Sequence, residues 1–223
     1  MSEPYYSDGL VTLFHGDCRE ITEWLAADVL VTDPPYGIDH LSGRGRDLWG
    51  SVADYSRKVA GDGSTTARDA TLVAWGRRPA IIFGSWKQPR PADVRMLLIW
   101  DKGEQCGMGD LSMPWKPNHE EIYVLGSGFT GARTTGVLRA YVPARISLGR
   151  VHPTEKPAAL LGGLIAKCPP GTIADPFAGS GSTLIAAKVF GRRAIGVEID
   201  ERYCEIAARR LSQGVLDFGD GAA

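Results

Sequence analysis

Short apolar runs bounded by turn residues recur along the chain: Val11–Phe14, Val29–Thr32, Ala80–Phe83, Met96–Trp100, Ile122–Leu125, Thr172–Ala174 and Ala194–Val197. Their length and spacing predict about seven strands, and runs such as VLVT, which lack apolar–polar alternation, predict strands buried on both faces. Between them the period changes. Within 155–168, Leu160, Leu161, Leu164, Ile165 and Cys168 recur at offsets of three and four, which puts them on one face of a helix. Residues 182–190 and 202–211 carry the same spacing, and 18–27 and 68–75 a less regular version of it. From Thr172 to Leu211 the order is strand, helix, strand, helix. That order predicts an α/β fold: a doubly wound, mostly parallel, seven-stranded sheet with helices on both faces.

Two stretches break the pattern. Residues 39–66 are rich in Gly, Ser and Arg, and residues 126–151 are basic, Gly-rich and nearly aperiodic. Long loops in a compact domain usually carry function or are disordered. With 223 residues, 43% hydrophobic and no shift of composition, one domain over 1–223 is expected. No run approaches the ~18 apolar residues that span a bilayer. The start MSEPYYSDG has neither a basic segment nor an apolar signal core, so a cytoplasmic protein with no membrane partner is expected. Cys18, Cys106, Cys168 and Cys204 form no C-x-x-C pair, which predicts reduced thiols and no metal site.

The formal charge of -1 conceals a division along the chain. Residues 1–39 carry eight acids and one base, whereas 40–100 carry ten bases and five acids, and 127–168 six bases and one acid. Two basic blocks could form one face for a polyanion and leave an acidic pocket elsewhere; ordinary solvated charge would look the same in sequence.

Chemistry concentrates at two turns. In IADPFAGSGST a predicted strand ends at Asp175, a small-residue loop with Gly179 and Gly181 follows, and a helix opens near Ser182. Such glycines let a backbone approach a ligand beside a helix N-terminus. Glu198, at the end of the next strand, can accept hydrogen bonds from a ribose. The dinucleotide spacing G-x-G-x-x-G is incomplete because Leu184 stands at the third glycine. An acid at the first turn also suits a cation better than a pyrophosphate, and S-adenosylmethionine carries an ammonium and a sulfonium.

The other turn is VLVTDPPYG. Proline after Asp33 disfavours helix, and two prolines remove two N–H donors, so the turn presents acceptors: the Asp33 carboxylate and the Pro34 carbonyl. Two acceptors holding the hydrogens of an exocyclic base amine would free its lone pair, and Tyr36 offers a ring on which a flipped base could stack.

In these motifs the chain resembles the S-adenosylmethionine-dependent DNA amino-methyltransferases, within them the permuted β class. The resemblance rests on DPPYG (33–37), WDK (100–102) with NHEEIYVLGSG (118–128), HPTEKP (152–157), DPFAGSGST (175–183) and VEID (197–200), with HGDC (15–18) as the opening strand and acid. It implies a Rossmann-like methyltransferase fold with circularly permuted motif order, acting on double-stranded DNA. It further implies that Asp33, Pro34, Pro35 and Tyr36 are catalytic, that Asp175, Phe177, Gly179 and Gly181 hold the methionine part of the cofactor, and that Glu198 holds its ribose. By the same resemblance Asp17 lies near the adenine end, and Thr154 and Lys156 close the pocket beside the methionine carboxylate. Trp100, His119 and Glu120 match the pattern but read as scaffold.

Adenine N6 is the expected target, because cytosine-N4 enzymes of this family more often have serine in place of Asp33. Cytosine N4 remains an alternative, as does an inactive DNA- or S-adenosylmethionine-binding protein. Carbon-5 methylation would need a Pro-Cys nucleophile that is absent, and glutamine methylation places its cofactor motif first. Only 39–66 and 126–151 are left to read bases, with Arg44, Arg46, Arg133, Arg139, Arg145 and Arg150 as candidate contacts. A short site, or help from a second subunit as in a homodimer, would suit so small an insert.

Overall fold

The computed structural model describes residues 2–37, 63–104, 111–141 and 156–213. Among these described residues nine strands form one sheet: β1 (Tyr6–Ser7), β2 (Val11–His15), β3 (Val29–Thr32), β4 (Ala80–Gly84), β5 (Met96–Asp101), β6 (His119–Leu125), β7 (Val137–Arg139), β8 (Ile173–Asp175) and β9 (Ala194–Glu198). Four α-helices accompany them: α1 (Thr66–Trp75), α2 (Ala158–Ile165), α3 (Ser182–Val189) and α4 (Glu201–Ser212). The sheet order is β1-β2-β9-β8-β3-β4-β6-β5-β7. β2, β9, β8, β3 and β4 run parallel, while β6 is antiparallel to both β4 and β5.

β3 and β8 occupy the middle. Every residue of both is buried, which explains the unbroken apolar run at Val29–Thr32. Along β3 the side chains still alternate between two cores. Val29 and Val31 pack with Leu160, Leu161 and Leu164 of α2 and Leu184 of α3, whereas Leu30 packs with Trp24 and Trp75. Helices therefore cover both faces, with α1 on one and α2 to α4 on the other.

Several expectations need correction. The seven expected strands all form, and β1 and β7 add two more at the edges. β7 is three residues long with its two ends exposed, too short for a periodic signal, and it lies inside the stretch read as aperiodic. Residues 18–27 form only a 3-10 turn at Glu23–Ala26. The Asp17 carbonyl accepts from the Glu20 and Ile21 N–H groups, and the Trp24 indole donates to the Cys18 carbonyl at 2.9 Å, so the segment curls instead of continuing as a helix. α2 starts at Ala158, after Pro157, later than the sequence pattern suggested. Cys18, Cys168 and Cys204 are buried free thiols; Cys106 lies outside the described residues. Among the described residues no helix is long and apolar enough to cross a membrane.

Candidate active site

β3 is followed by α1 and β4 on one side, and β8 by α3 and β9 on the other. The carboxyl ends of β3 and β8 therefore form the switch point of the sheet, where open α/β folds leave a crevice. Asp33 and Asp175 arrive there from neighbouring strands, with Leu30 paired to Ala174. Thr32 stitches the two turns together: its hydroxyl donates to Asp175 Oδ1 at 2.7 Å. Pro34 and Phe177, one from each motif, line the same narrow seam.

Asp175 is 2% exposed. Its other donors are the Phe177 N–H, at 3.2 Å, and the Thr183 hydroxyl, and no cation pairs with it among the described residues. Burial pushes its pKa up to about 6, with the Thr32, Thr183 and Phe177 hydrogen bonds opposing. Glu198 is buried as well; Gly179 N–H donates to its Oε2 at 2.7 Å and Asp200 N–H to its Oε1 at 2.8 Å. Burial raises the Glu198 pKa too, against those hydrogen bonds.

The two glycines of the loop differ. Gly179 has φ +51° and faces open space, as a ligand wall requires. Gly181 has φ +83°, and a Cβ there would come within 2.9 Å of Ala207 Cβ, so it is needed for the contact of α3 with α4. Asp17 lies beyond the end of β2, next to β9. Its carboxylate accepts from the Arg19 N–H at 2.9 Å and pairs with the Arg19 guanidinium, which lowers its pKa.

Around Asp33 the structure assembles more than sequence reading expected. The Tyr36 hydroxyl lies 2.6 Å from Asp33 Oδ1 and 2.9 Å from Glu120 Oε2. Lys156 Nζ lies 2.7 Å from Asp33 Oδ2, 3.0 Å from Glu120 Oε2 and 3.2 Å from the Tyr36 hydroxyl. Lys102 pairs with Glu120 Oε1. The Lys156 ammonium also sits 4.9 Å from the Phe83 ring and 5.5 Å from each of the Trp100 and Tyr36 rings, a partial aromatic cage.

Glu120, read as scaffold, thus reaches the Asp33 cluster, whereas Trp100 is 2% exposed, with its ring against Lys156. Lys156 was expected beside a methionine carboxylate, yet its three donors are directed at Asp33, Glu120 and Tyr36, because an ammonium 7% exposed requires anions close by. Burial favours neutral Lys156, but the two carboxylates outweigh it and keep it charged. Burial likewise pushes Glu120 up, but Lys156 and Lys102 prevail and hold it at about 2. For Asp33 burial wins over Lys156, and its pKa stays raised.

Thr154 lies outside the described residues, as do Arg44, Arg46, Arg145 and Arg150. Of the other arginines, Arg139 donates to Asp101 at 3.0 Å and Arg133 is exposed.

This pairing of an acceptor turn with a buried anionic pocket is accompanied by a match, over residues 90–209, to the family model N6_N4_Mtase, described as DNA methylase. The chain belongs to the N6/N4 DNA methylase family. The type II methyltransferase M2.LlaDCHI of Lactococcus lactis subsp. cremoris is 42% identical over 254 aligned positions, covering 96% of this methylase and 94% of that protein. In shape the methylase is similar to the crystal structure of an M1.HpyAVI-SAM complex, with a TM-score of 0.65, 20% identity, and 91% and 99% of the two chains covered. It is also similar to the cytosine-N4-specific PvuII DNA methyltransferase, with a TM-score of 0.64, 14% identity, and 99% and 91% covered. Both solved relatives bear out the Rossmann-like methyltransferase fold.

Proposed function

We propose that the chain methylates the exocyclic N6 of adenine in double-stranded DNA, using S-adenosylmethionine and a base flipped out of the helix. The observation that carries this reading is the junction at the switch point, where an acceptor-rich turn at Asp33 adjoins a buried carboxylate, Asp175, that has no cation partner among the described residues. S-adenosylmethionine, when bound, would supply an electrophilic methyl group, whose bond to the sulfonium breaks on transfer to leave a neutral thioether. Its ammonium fits Asp175, whose partners are hydroxyls and an N–H. Glu198 has lone pairs left for a ribose, Asp17 stands at the adenine end, and Phe177 and Gly179 form the wall between them. Gly181 contributes by bringing α3 against α4. The role of Thr154 and Lys156 beside the methionine carboxylate is assigned from the resemblance alone, and the Lys156 ammonium is directed at Asp33.

Asp33 and the Pro34 carbonyl accept the two hydrogens of the amine and leave its lone pair free to attack. Pro35 stiffens the turn, and Tyr36, anchored through its hydroxyl, presents a fixed ring to the base. Once nitrogen has gained the methyl group it sheds a proton, which Asp33 is placed to accept. An acid at position 33 favours adenine over cytosine N4, as the resemblance implied. The order of the chain, with the Asp33 turn ahead of the Asp175 turn, supports membership of the permuted β class.

DNA approaches the carboxyl ends of β3 and β4. At that end Trp86, 59% exposed, follows β4 and Trp115, 75% exposed, precedes the antiparallel β6. The segments 39–66 and 126–151, of which 39–62 and 142–151 lie outside the described residues, are assigned to reading the site. Digestion of DNA methylated by the purified protein, with mass analysis of the nucleosides, tests the base. N6-methyladenine is expected; N4-methylcytosine alone would move the assignment to the other amine.

A further inference from the structure

Glu120 takes no direct part in the chemistry just described, yet it is tied to both Tyr36 and Lys156, the two side chains that hold the Asp33 carboxylate. Period-two alternation along β6 sends Glu120 and Glu121 to opposite faces. Glu121 meets Arg90 and Tyr123, and only Glu120 reaches the Asp33 cluster. There one ammonium is divided between two carboxylates, with Lys156 Nζ 2.7 Å from Asp33 and 3.0 Å from Glu120. The single proton of the Tyr36 hydroxyl has the same two carboxylates within reach. Lys102 holds the far oxygen of Glu120. If Lys156 faced Asp33 alone, the ion pair would draw charge from the oxygens that must accept a substrate amine.

We propose that Glu120 is a positioning residue for methyl transfer: Lys156 favours the ionised form of Asp33, Glu120 shares that ammonium so that the Asp33 oxygens remain strong acceptors, and Glu120 anchors Tyr36. The inference rests on the reading of Asp33 as the amine acceptor. The groups facing Asp33 are Tyr36 from its own turn, Glu120 from β6, Lys156 ahead of α2 and Asp175 from β8, with Lys102 one step behind Glu120. Glu120 repels charge on Asp33 and raises its pKa, while Lys156 lowers it. Asp33 must be ionised to accept the amine, so activity is lost as pH falls through its pKa.

Removing one partner or the other should therefore displace the acid limb of the rate profile in opposite directions. In Glu120→Gln the limb moves to lower pH and in Lys156→Met to higher pH, each by about one unit or more for charges this close. The measurement is the single-turnover rate of methyl transfer to DNA against pH at saturating S-adenosylmethionine. Limbs that coincide with the parent, or that both move the same way, would overturn the proposal, since general loss of structure does not give opposite displacements. Should Lys156→Met fail to fold, the direction in Glu120→Gln decides alone. Should rates be too low, carboxyl ¹³C titration of Asp33, assigned with Asp33→Asn, reads the same displacement. Asp33→Asn also separates the two claims. If it methylates at the parent rate, the role of Asp33 is wrong; if it is inactive and the limbs do not move, only the role of Glu120 is.

Discussion

Single positions show where a motif is a rule about space and where it is a rule about charge. The third glycine of the dinucleotide pattern lets a helix pack closely on a strand. Here Leu184 stands in its place, and the missing space is found across the contact: a Cβ on Gly196 of β9 would lie 2.6 Å from Leu184 Cδ1. The small residue has moved from helix to strand. Asp175 is a matter of charge. Its pKa is about 6 in the folded protein against 3.8 for a free side chain, so between those values the native state holds a proton that the unfolded chain has released. The stability this gives is present in full below 3.8 and is lost as pH rises through about 6. Binding an ammonium has the opposite requirement, an ionised Asp175. Asp175→Asn should therefore melt at a higher temperature than the parent at pH 8 without cofactor, by scanning calorimetry, while binding S-adenosylmethionine about 10- to 100-fold more weakly, by titration calorimetry. Asp33 and Asp175 were legible in the sequence because each ends an apolar run at a turn. Glu120 was not, because two adjacent glutamates differ only in the face of β6 they occupy, and pairing with β5 and β4 sets that face.

At the scale of elements, the apolar runs located the seven inner strands closely, since burial on both faces leaves an uninterrupted signal. The exceptions are elements fixed by distant partners. The 3-10 turn at Glu23–Ala26 is held by stacking of Trp24 on Trp75, with ring centroids 5.9 Å apart, and by Arg78. Arg78 lies 3.5 Å over the Trp75 ring and donates to the carbonyls of Leu25, Ala27 and Trp75. Its neighbour Arg77 is exposed. Nothing in the dipeptide says which arginine closes the end of α1. Arg78→Ala should cost about 1–3 kcal/mol, from the lost ring contact and the carbonyls left to water, while Arg77→Ala should stay within about 0.5 kcal/mol. Urea unfolding of the two variants checks the difference.

Over the whole molecule, function depends on which strand ends are neighbours. The chain reaches Asp33 early and Asp175 late, and the sheet sets them side by side because β8, entering after α2, pairs with β3 at the centre. Sequence supplied both turns and their order, while the ion cluster joining β3, β5, β6 and the approach to α2 exists only once the sheet is closed. The division of labour between the two carboxylates is the central claim, and paired measurements on one preparation test it: transfer of labelled methyl from S-adenosylmethionine to DNA, and cofactor binding, for Asp33→Ala and Asp175→Ala. Asp33→Ala should bind the cofactor within a few-fold of the parent and transfer no methyl, while Asp175→Ala should lose binding. Cofactor binding abolished in Asp33→Ala, with methyl transfer intact in Asp175→Ala, would contradict the account.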